Sequence, residues 1–367
     1  MRDPRLERRI EAALCPGEFI SAQDSFDLVE ALESVRNSIA ALLPREAKRA
    51  AALCETFLAG CSAKADEVDD SHGNFGDFAQ SLFCDWGRAR RADGRDAAQT
   101  VQTLLRWKAK DEHSFFCRIE RQLAETFNRV ERAAFIGAIR ARFDEELKKA
   151  GGTGGPRPHY DAPYPLREAT DMLKTIYEAA KDAAAYVDLC HVMGVSPKDC
   201  ERIAKILQSR GKLDQALEWV EKGLHLESQQ KWPNQDASGL GGVKRELLKG
   251  LGRHQEALQQ TWEEFRSHPG EYSYVDLMGC VPAADRTTWH EKAMEAAETA
   301  SLGSCVELYM KARELNRLAA RVSRSKDEEL RGIYYSRAID AAKKLAKEHP
   351  AEAAALPDGF RKLLHKS

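Results

Sequence analysis

The residues of this 367-residue sequence whose types and spacing could do chemistry are above all its arginines. Arg313, Arg317, Arg321 and Arg324 recur at steps of four, four and three, which puts them on one face of a helix. Arg88, Arg90, Arg91 and Arg95 cluster at the end of another helical pattern. Guanidinium rows can hold phosphates or the carboxylates of an acidic partner. They can also form a solvated helix face, and Glu307, Glu314, Asp327 and Glu328 stand near enough in sequence to neutralise the first row. Residues 85–143 carry 13 Lys and Arg against 8 Asp and Glu, a net of +5, whereas residues 1–83 carry 9 against 15, a net of −6. Trp232, in the loop Gln-Gln-Lys-Trp-Pro-Asn, is an aromatic that could anchor a partner or cap a neighbouring helix pair.

Other chemistries find less support. The nine cysteines, at 15, 54, 61, 84, 117, 190, 200, 280 and 305, include no CxxC pair, and a structural zinc site needs tight ligand pairs. Cys190-His191 with Cys200 does not supply them. Scattered cysteines among apolar neighbours read instead as small core residues in a reducing compartment, and the expectation is a cytoplasmic protein. The acidic stretch from Asp66 through Asp69, Asp70, Ser71, His72 and Gly73 bunches its carboxylates and lacks the terminal Glu of a calcium loop. It reads as a turn and helix cap, with Gly73 and Gly76 in unusual backbone conformations. No GxSxG, HExxH or cysteine-nucleophile signature occurs, and Gly151-Gly-Thr-Gly-Gly lacks the Lys-Ser/Thr ending of a phosphate loop. No catalytic residue, cofactor or metal is therefore assigned.

The elements that must position these groups are helical. Phe26, Val29, Leu32, Val35 and Ile39 form one apolar stripe, Leu53, Phe57 and Cys61 another, and Leu82, Phe83 and Trp86 a third. Val101, Leu104, Leu105 and Trp107, then Phe115, Phe116, Ile119 and Leu123, then Phe135, Ile136, Ile139 and Phe143 continue the pattern. Alternating strand patterns with hairpin turns are absent. Residues 1–150 are expected to form an all-α domain of about six or seven helices. In residues 151–165, GGTGGPRPHYDAPYP, eight of fifteen residues are Gly or Pro, which reads as a linker or long loop.

Residues 166–367 carry a repeat. Gly211 and Gly252 are 41 residues apart, as are Ala216 and Ala257, and further helices are expected at Ala297, 40 residues on, and at Ala338, after a further 41. Each unit reads as helix, tight turn, helix, the glycine supplying the positive φ of the turn and the alanine a close helix approach. Such pairs bury their apolar faces only by stacking, so the expected fold class is all-α, an α-solenoid of antiparallel helix pairs preceded by an all-α domain.

Gly211-x-Leu213-x-x-Ala216 resembles the second-helix signature of tetratricopeptide repeats, as do Gly252 with Ala257 and Pro269, and Ala338 with Pro350. The period is near 41 rather than 34, and Cys200 and Gly241 stand where that family has Trp. The chain also resembles an uncharacterised bacterial helical-repeat family sometimes found with SWIM zinc fingers. That resemblance rests on Val68-Asp-Asp-Ser-His-Gly-Asn-Phe-Gly76 and on the run Arg202 to Trp219; the zinc finger itself is missing. It implies helical repeats and carries no assigned activity.

With 43% hydrophobic and 31% charged residues, a net charge of −2 and a pI near 6.6, the chain is neither a disordered nor a histone-like protein. It has no apolar run long enough to cross a membrane, and its charged beginning carries no secretory signal. The expected function is a non-catalytic scaffold that binds a protein or peptide through Arg313, Arg317, Arg321, Arg324, Trp232, Arg88, Arg91 and Arg95. The alternatives are a nucleic-acid-associated accessory subunit using the arginine rows, and an enzyme whose site is assembled from distant residues such as His72 with Asp69 and Asp70.

Overall fold

The structure, a computed structural model, describes residues 5–15, 17, 19–112, 115, 119–151, 161–229, 239–326, 328–329 and 335–348. The chain divides into two compact units, Met1–Arg210 and Gly211–Ser367. Among the described residues every regular element is helical, with one isolated parallel bridge between Ile20 and Val68.

Among its described residues the first unit has ten α-helices: α1 (Arg5–Ala13), α2 (Ser25–Ala40), α3 (Ala47–Lys64), α4 (Asn74–Ala92), α5 (Ala97–Lys108), α6 (Ile119–Thr126), α7 (Arg129–Lys149), α8 (Tyr164–Ala179), α9 (Ala183–Met193) and α10 (Pro197–Ser209). Their starts are written in the sequence. Asn128 accepts from the N–H groups of Val130 and Glu131 while the Glu131 carboxylate accepts from the Asn128 N–H, a reciprocal cap. Ser196 and Asp199 do the same for α10, with Pro197 in its first turn, where no N–H is needed.

The apolar stripes interlock as their periods require. Trp86 is fully buried against Trp107, ring centres 4.7 Å apart, and Phe57 meets Phe78 edge-on at 5.3 Å. Helix contacts run between neighbours one and two places along the chain: α2 with α4, α4 with α6, α6 with α8, and α8 with α10 form one layer of even-numbered helices. Phe115 is a turn residue, with α6 starting at Ile119, and Phe116 lies outside the described residues.

The division falls at Arg210–Gly211, not at the Gly/Pro-rich stretch expected to separate two domains. Helices α7 and α8, which flank that stretch, pack against each other, and α8 begins at Tyr164, inside it. Packing of α7 on α8 joins both sides of the stretch in one unit. Residues 152–160 lie outside the described set.

The second unit contains α11 (Leu213–Ser228), α12 (Leu240–Gly250), α13 (His254–Ser267), α14 (Glu271–Met278), α15 (Arg286–Ala297), α16 (Leu302–Ala312), α17 (Leu315–Ser323) and α18 (Tyr335–Glu348). Here too each helix packs on chain neighbours: α11 on α12, α12 on α13, α13 on α14 and α15, α14 on α16, and α16 on α17 and α18. This is the one-dimensional stacking of an α-solenoid. Phe265, Leu277, Met294, Leu308 and Leu318 are buried along it, and Lys292 Nζ lies 4.3 and 4.2 Å from the ring centres of Trp262 and Trp289.

The inter-helix turns explain why the 41-residue step does not continue. At Gly252 (φ +73°) the Gly252 N–H donates to the Lys249 carbonyl and the Arg253 N–H to the Leu248 carbonyl, closing the last turn of α12. The same pattern occurs at Lys181, φ +55°, with Asp182 N–H donating to the Tyr177 carbonyl. Arg313, φ +63°, is followed by a Glu314 N–H that donates to the Tyr309 carbonyl. Gly211 shares the conformation at φ +73°. These turns are spaced unequally, and five residues beyond them stand Tyr186, Ala216, Ala257 and Leu318. Ala297 ends α15 rather than opening a second helix, and Ala338 lies within α18.

Candidate functional site

Among the described residues, three adjoining cavities on the even-numbered layer of the first unit stand out. The largest, about 920 Å³, is walled by α4, α6 and α8, with Arg202 of α10 at its edge. A second, about 240 Å³, lies between Phe26 and Val29 of α2 and Phe78 of α4. The third, about 200 Å³, runs between Arg36 of α2, Cys84 and Arg88 of α4, and Glu125 of α6. Asp77 lines the first and second, Ser81 the second and third, and Gln122 the first and third, so the three adjoin as one groove.

Helical period builds its walls. On α8, Glu168, Asp171, Thr175 and Glu178 recur at three, four and three, a polar stripe beside the buried stripe of Leu166, Ala169, Leu173 and Ile176. On α4, Asp77, Ser81, Cys84 and Arg88 follow the same rule. The Gln122 amide donates to Gln80 Oε1 at 2.9 Å and ties α6 to α4 across the floor. Phe26, 48% exposed, leaves an apolar edge, its ring 5.6 Å from that of His72.

Charges in the groove are largely internally paired. Glu178 receives Arg121 Nη2 at 3.2 Å and lies 3.6 Å from Arg202 Nε. Glu168 receives Arg142 Nη2 at 2.7 Å, and Lys108 Nζ lies 3.2 Å from buried Glu120. Behind Arg202 lies a buried cluster: Lys174 Nζ is 2.7 Å from Asp199 Oδ1, and the Tyr186 hydroxyl donates to the same oxygen at 2.9 Å. Burial pushes the Asp199 carboxyl up, but Lys174 and the Ser196 hydrogen bonds more than offset it, leaving it below its ordinary value. Burial, with the Asp199 charge, drives the Tyr186 phenol strongly upward.

The residues singled out from sequence divide. Arg88 lines the groove, its Nη1 donating to Asp85 Oδ1 at 2.8 Å. Arg91 turns to Glu131 at 2.6 Å, joining α4 to the cap of α7, and Arg95 Nε donates to Asp93 at 2.8 Å. The expected single face loses Arg313, whereas Arg317, Arg321 and Arg324 keep their helical spacing on α17 and its C-terminal cap. Arg313 terminates α16 in the left-handed conformation, α17 starts afresh at Leu315, and Arg324 caps its end. Arg317 is held by Glu291, Glu314 and Glu298, and Arg321 by Ser325 and Glu329. Glu314 also receives His290, whose other ring nitrogen meets the Tyr274 hydroxyl at 2.8 Å. Trp232 lies outside the described residues.

The acidic stretch does form a turn and cap. Asp70 accepts from the Phe75 and Gly76 N–H groups at 2.8 Å, and Asp69 from the Ser71 N–H and hydroxyl. Only Gly73 takes positive φ; Gly76 is helical. Among the described residues no three His, Cys, Asp or Glu side chains converge on a metal position, and no helix is long and apolar enough to cross a membrane. Sequence reasoning passed over Asp77, Arg121, Arg167 and Arg202. The signal for the groove was the polar stripe of α8.

Residues 7–364 match a family of unknown function, DUF6880. The chain belongs to that family. No curated protein matches it. Among solved structures, this DUF6880 chain is similar to that of Naa15/Naa10 bound to HypK-THB, at 11% identity and a TM-score of 0.31 over 99% of this chain and 64% of that one. It is also similar to a circular tandem repeat protein with novel repeat topology, at 10% identity and a TM-score of 0.18, over 98% of this chain and 82% of that one. The chain thus spans a little under two thirds of the first of these.

Proposed function

We propose that this DUF6880 protein is a non-catalytic scaffold that holds a peptide segment of a partner protein along the even-numbered layer of its first unit. The observation that carries the reading is the groove itself: three adjoining cavities joined through Asp77, Ser81 and Gln122 and walled by four successive layer helices. A repeat array binds through many such distributed contacts rather than one deep pocket. The groove's apolar edge at Phe26 and its paired charges suit an extended chain. Nucleic acid is less well served, because Arg91, Arg95, Arg317 and Arg321 already hold carboxylates. The proposal includes a reducing, cytoplasmic setting, in which the buried Cys54 and Cys61 are free thiols.

The test is recovery of the tagged chain from its native lysate after nuclease treatment, beside the variants Asp77→Lys and Glu125→Lys. A stoichiometric protein that survives nuclease and is lost from both variants supports the reading. Retention by both variants overturns the groove as its site, and a partner lost with nuclease overturns the protein-binding reading.

A further inference from the structure

Each lining cation of the 920 Å³ cavity but one has an anionic or hydroxyl partner. Arg121 has Glu178, and Arg202 has Glu178 and the Tyr186 hydroxyl. Arg167, in the first turn of α8, is the exception among the described residues. No carboxylate reaches its guanidinium, and its Nε is buried with no hydrogen-bond partner. A buried donor left unsatisfied destabilises a fold, and Arg167 differs from Arg49, Arg132 and Arg321, whose Nε atoms are also unbonded, in that its guanidinium has no other partner among the described residues to hold it. The adjacent acid, Glu168, is engaged by Arg142 and Lys108, so Arg167 is not waiting on a rotamer of that neighbour.

We propose that Arg167 receives a carboxylate of the bound peptide, and that the groove therefore selects a segment carrying an acidic group among neutral or basic residues. This rests on the peptide-binding reading above. A guanidinium presents paired donors that match a carboxylate in a planar fork. A polyanion is less well matched to the same place, because the lining carries five carboxylates, Asp77, Glu120, Glu168, Asp171 and Glu178, against three arginines, Arg121, Arg167 and Arg202. One carboxylate pairs with Arg167, and the remainder of the segment meets a lining in which acids outnumber bases.

The experiment pans a displayed random dodecapeptide library against the full chain, then measures the selected peptides by fluorescence anisotropy. Each is made with free and amidated C-terminus and with each Asp or Glu replaced by its amide. Arg167→Gln is compared with wild type, and its thermal midpoint, which should stay level or rise because an unsatisfied donor is removed, reports that it folds. The expected result is a tenfold or greater loss of affinity in Arg167→Gln, matched by the same loss when one acidic side chain, or the terminal carboxylate, is neutralised in the peptide. The side-chain and terminal arms tell the two carboxylate sources apart. Selected peptides that bind Arg167→Gln as well as wild type, or that keep their affinity when every carboxylate is neutralised, overturn the proposal while leaving the groove reading intact. Failure to select any peptide, or displacement of the peptides by a single-stranded oligonucleotide at equal concentration, overturns both. If Arg167→Gln does not fold, the peptide-side neutralisation alone decides.

Discussion

Replacing Lys174 with methionine should destabilise the first unit by about 3 kcal/mol, and replacing Asp199 with asparagine by about 5 kcal/mol, the two ends of the range for breaking a buried ion pair. Both side chains are almost wholly buried, and their charged atoms are 2.7 Å apart. The asymmetry follows from what each change leaves behind. In Lys174→Met, Asp199 still accepts from the Tyr186 hydroxyl at 2.9 Å, the Ser196 hydroxyl at 2.7 Å and the Ser196 N–H at 3.0 Å. In Asp199→Asn, the ammonium of Lys174 remains in the interior with no carboxylate, and α10 loses the charged half of its reciprocal cap as well. For a unit of this size each kcal/mol moves the thermal midpoint by roughly 2–4 °C, so the changes should lower it by about 6 to 20 °C. The double variant Lys174→Met with Asp199→Asn should cost less than the sum of the singles, because it buries no unpaired charge.

The pH dependence supplies a second readout. Asp199 has a folded-state pKa below its unfolded value of about 4, so its contribution is present above that value and is lost as pH falls through the folded value. Removing Lys174 removes the attraction that offsets burial, so the acid limb of the stability profile should begin at higher pH in Lys174→Met. Calorimetric midpoints between pH 7 and pH 3 measure both effects. A loss under about 1 kcal/mol in both single variants, or acid limbs that superpose on wild type, would show that the pair contributes nothing.

Three further outcomes follow from the turns, the thiols and the groove charges. Gly252→Ala should cost about 1–2 kcal/mol from left-handed backbone strain alone, since an added Cβ meets nothing within 4 Å, whereas Arg313→Gly should raise the thermal midpoint; equal effects of the same sign would refute the turn argument. In native protein at pH 8, a thiol reagent should modify exposed Cys15 rapidly and leave Cys54 and Cys61 unmodified until denaturation, and rapid labelling of either buried thiol contradicts the packing of α3. Asp77 on α4 and Arg167 on α8 line one cavity from helices that both pack on α6, a span that an extended chain covers in a few residues. Selected peptides should therefore carry Lys or Arg at that distance from their acidic residue and lose this preference against Asp77→Asn, and a preference unchanged in that variant removes Asp77 from the contact.

The helices were legible because burial imposes a period of 3.6, and Leu53, Phe57 and Cys61 or Leu82 and Trp86 obey it in sequence as they do in α3 and α4. The groove was not, because its walls come from helices two apart in the chain, and nothing local in α4 says that α6 will stand beside it. Its one local trace was the polar stripe Glu168, Asp171, Thr175 and Glu178, which runs parallel to the buried stripe of α8.

The misread arginine row and the broken 41-residue step have a single cause. Left-handed turns announce themselves when the residue is glycine, as at Gly211 and Gly252, because glycine alone adopts positive φ without a Cβ penalty. At Lys181 and Arg313 the same turn is closed by hydrogen bonds to the Tyr177 and Tyr309 carbonyls and by the packing of the helices on either side, and the side chain gives no sign of it. Read without that turn, Arg313 to Arg324 is one helix with one basic face. Read with it, Arg313 ends α16, Glu314 opens α17, and Glu314 becomes the acid that holds Arg317. The turn at Arg313 thus takes one arginine out of the row, and Glu314, three residues before Arg317, pairs with another.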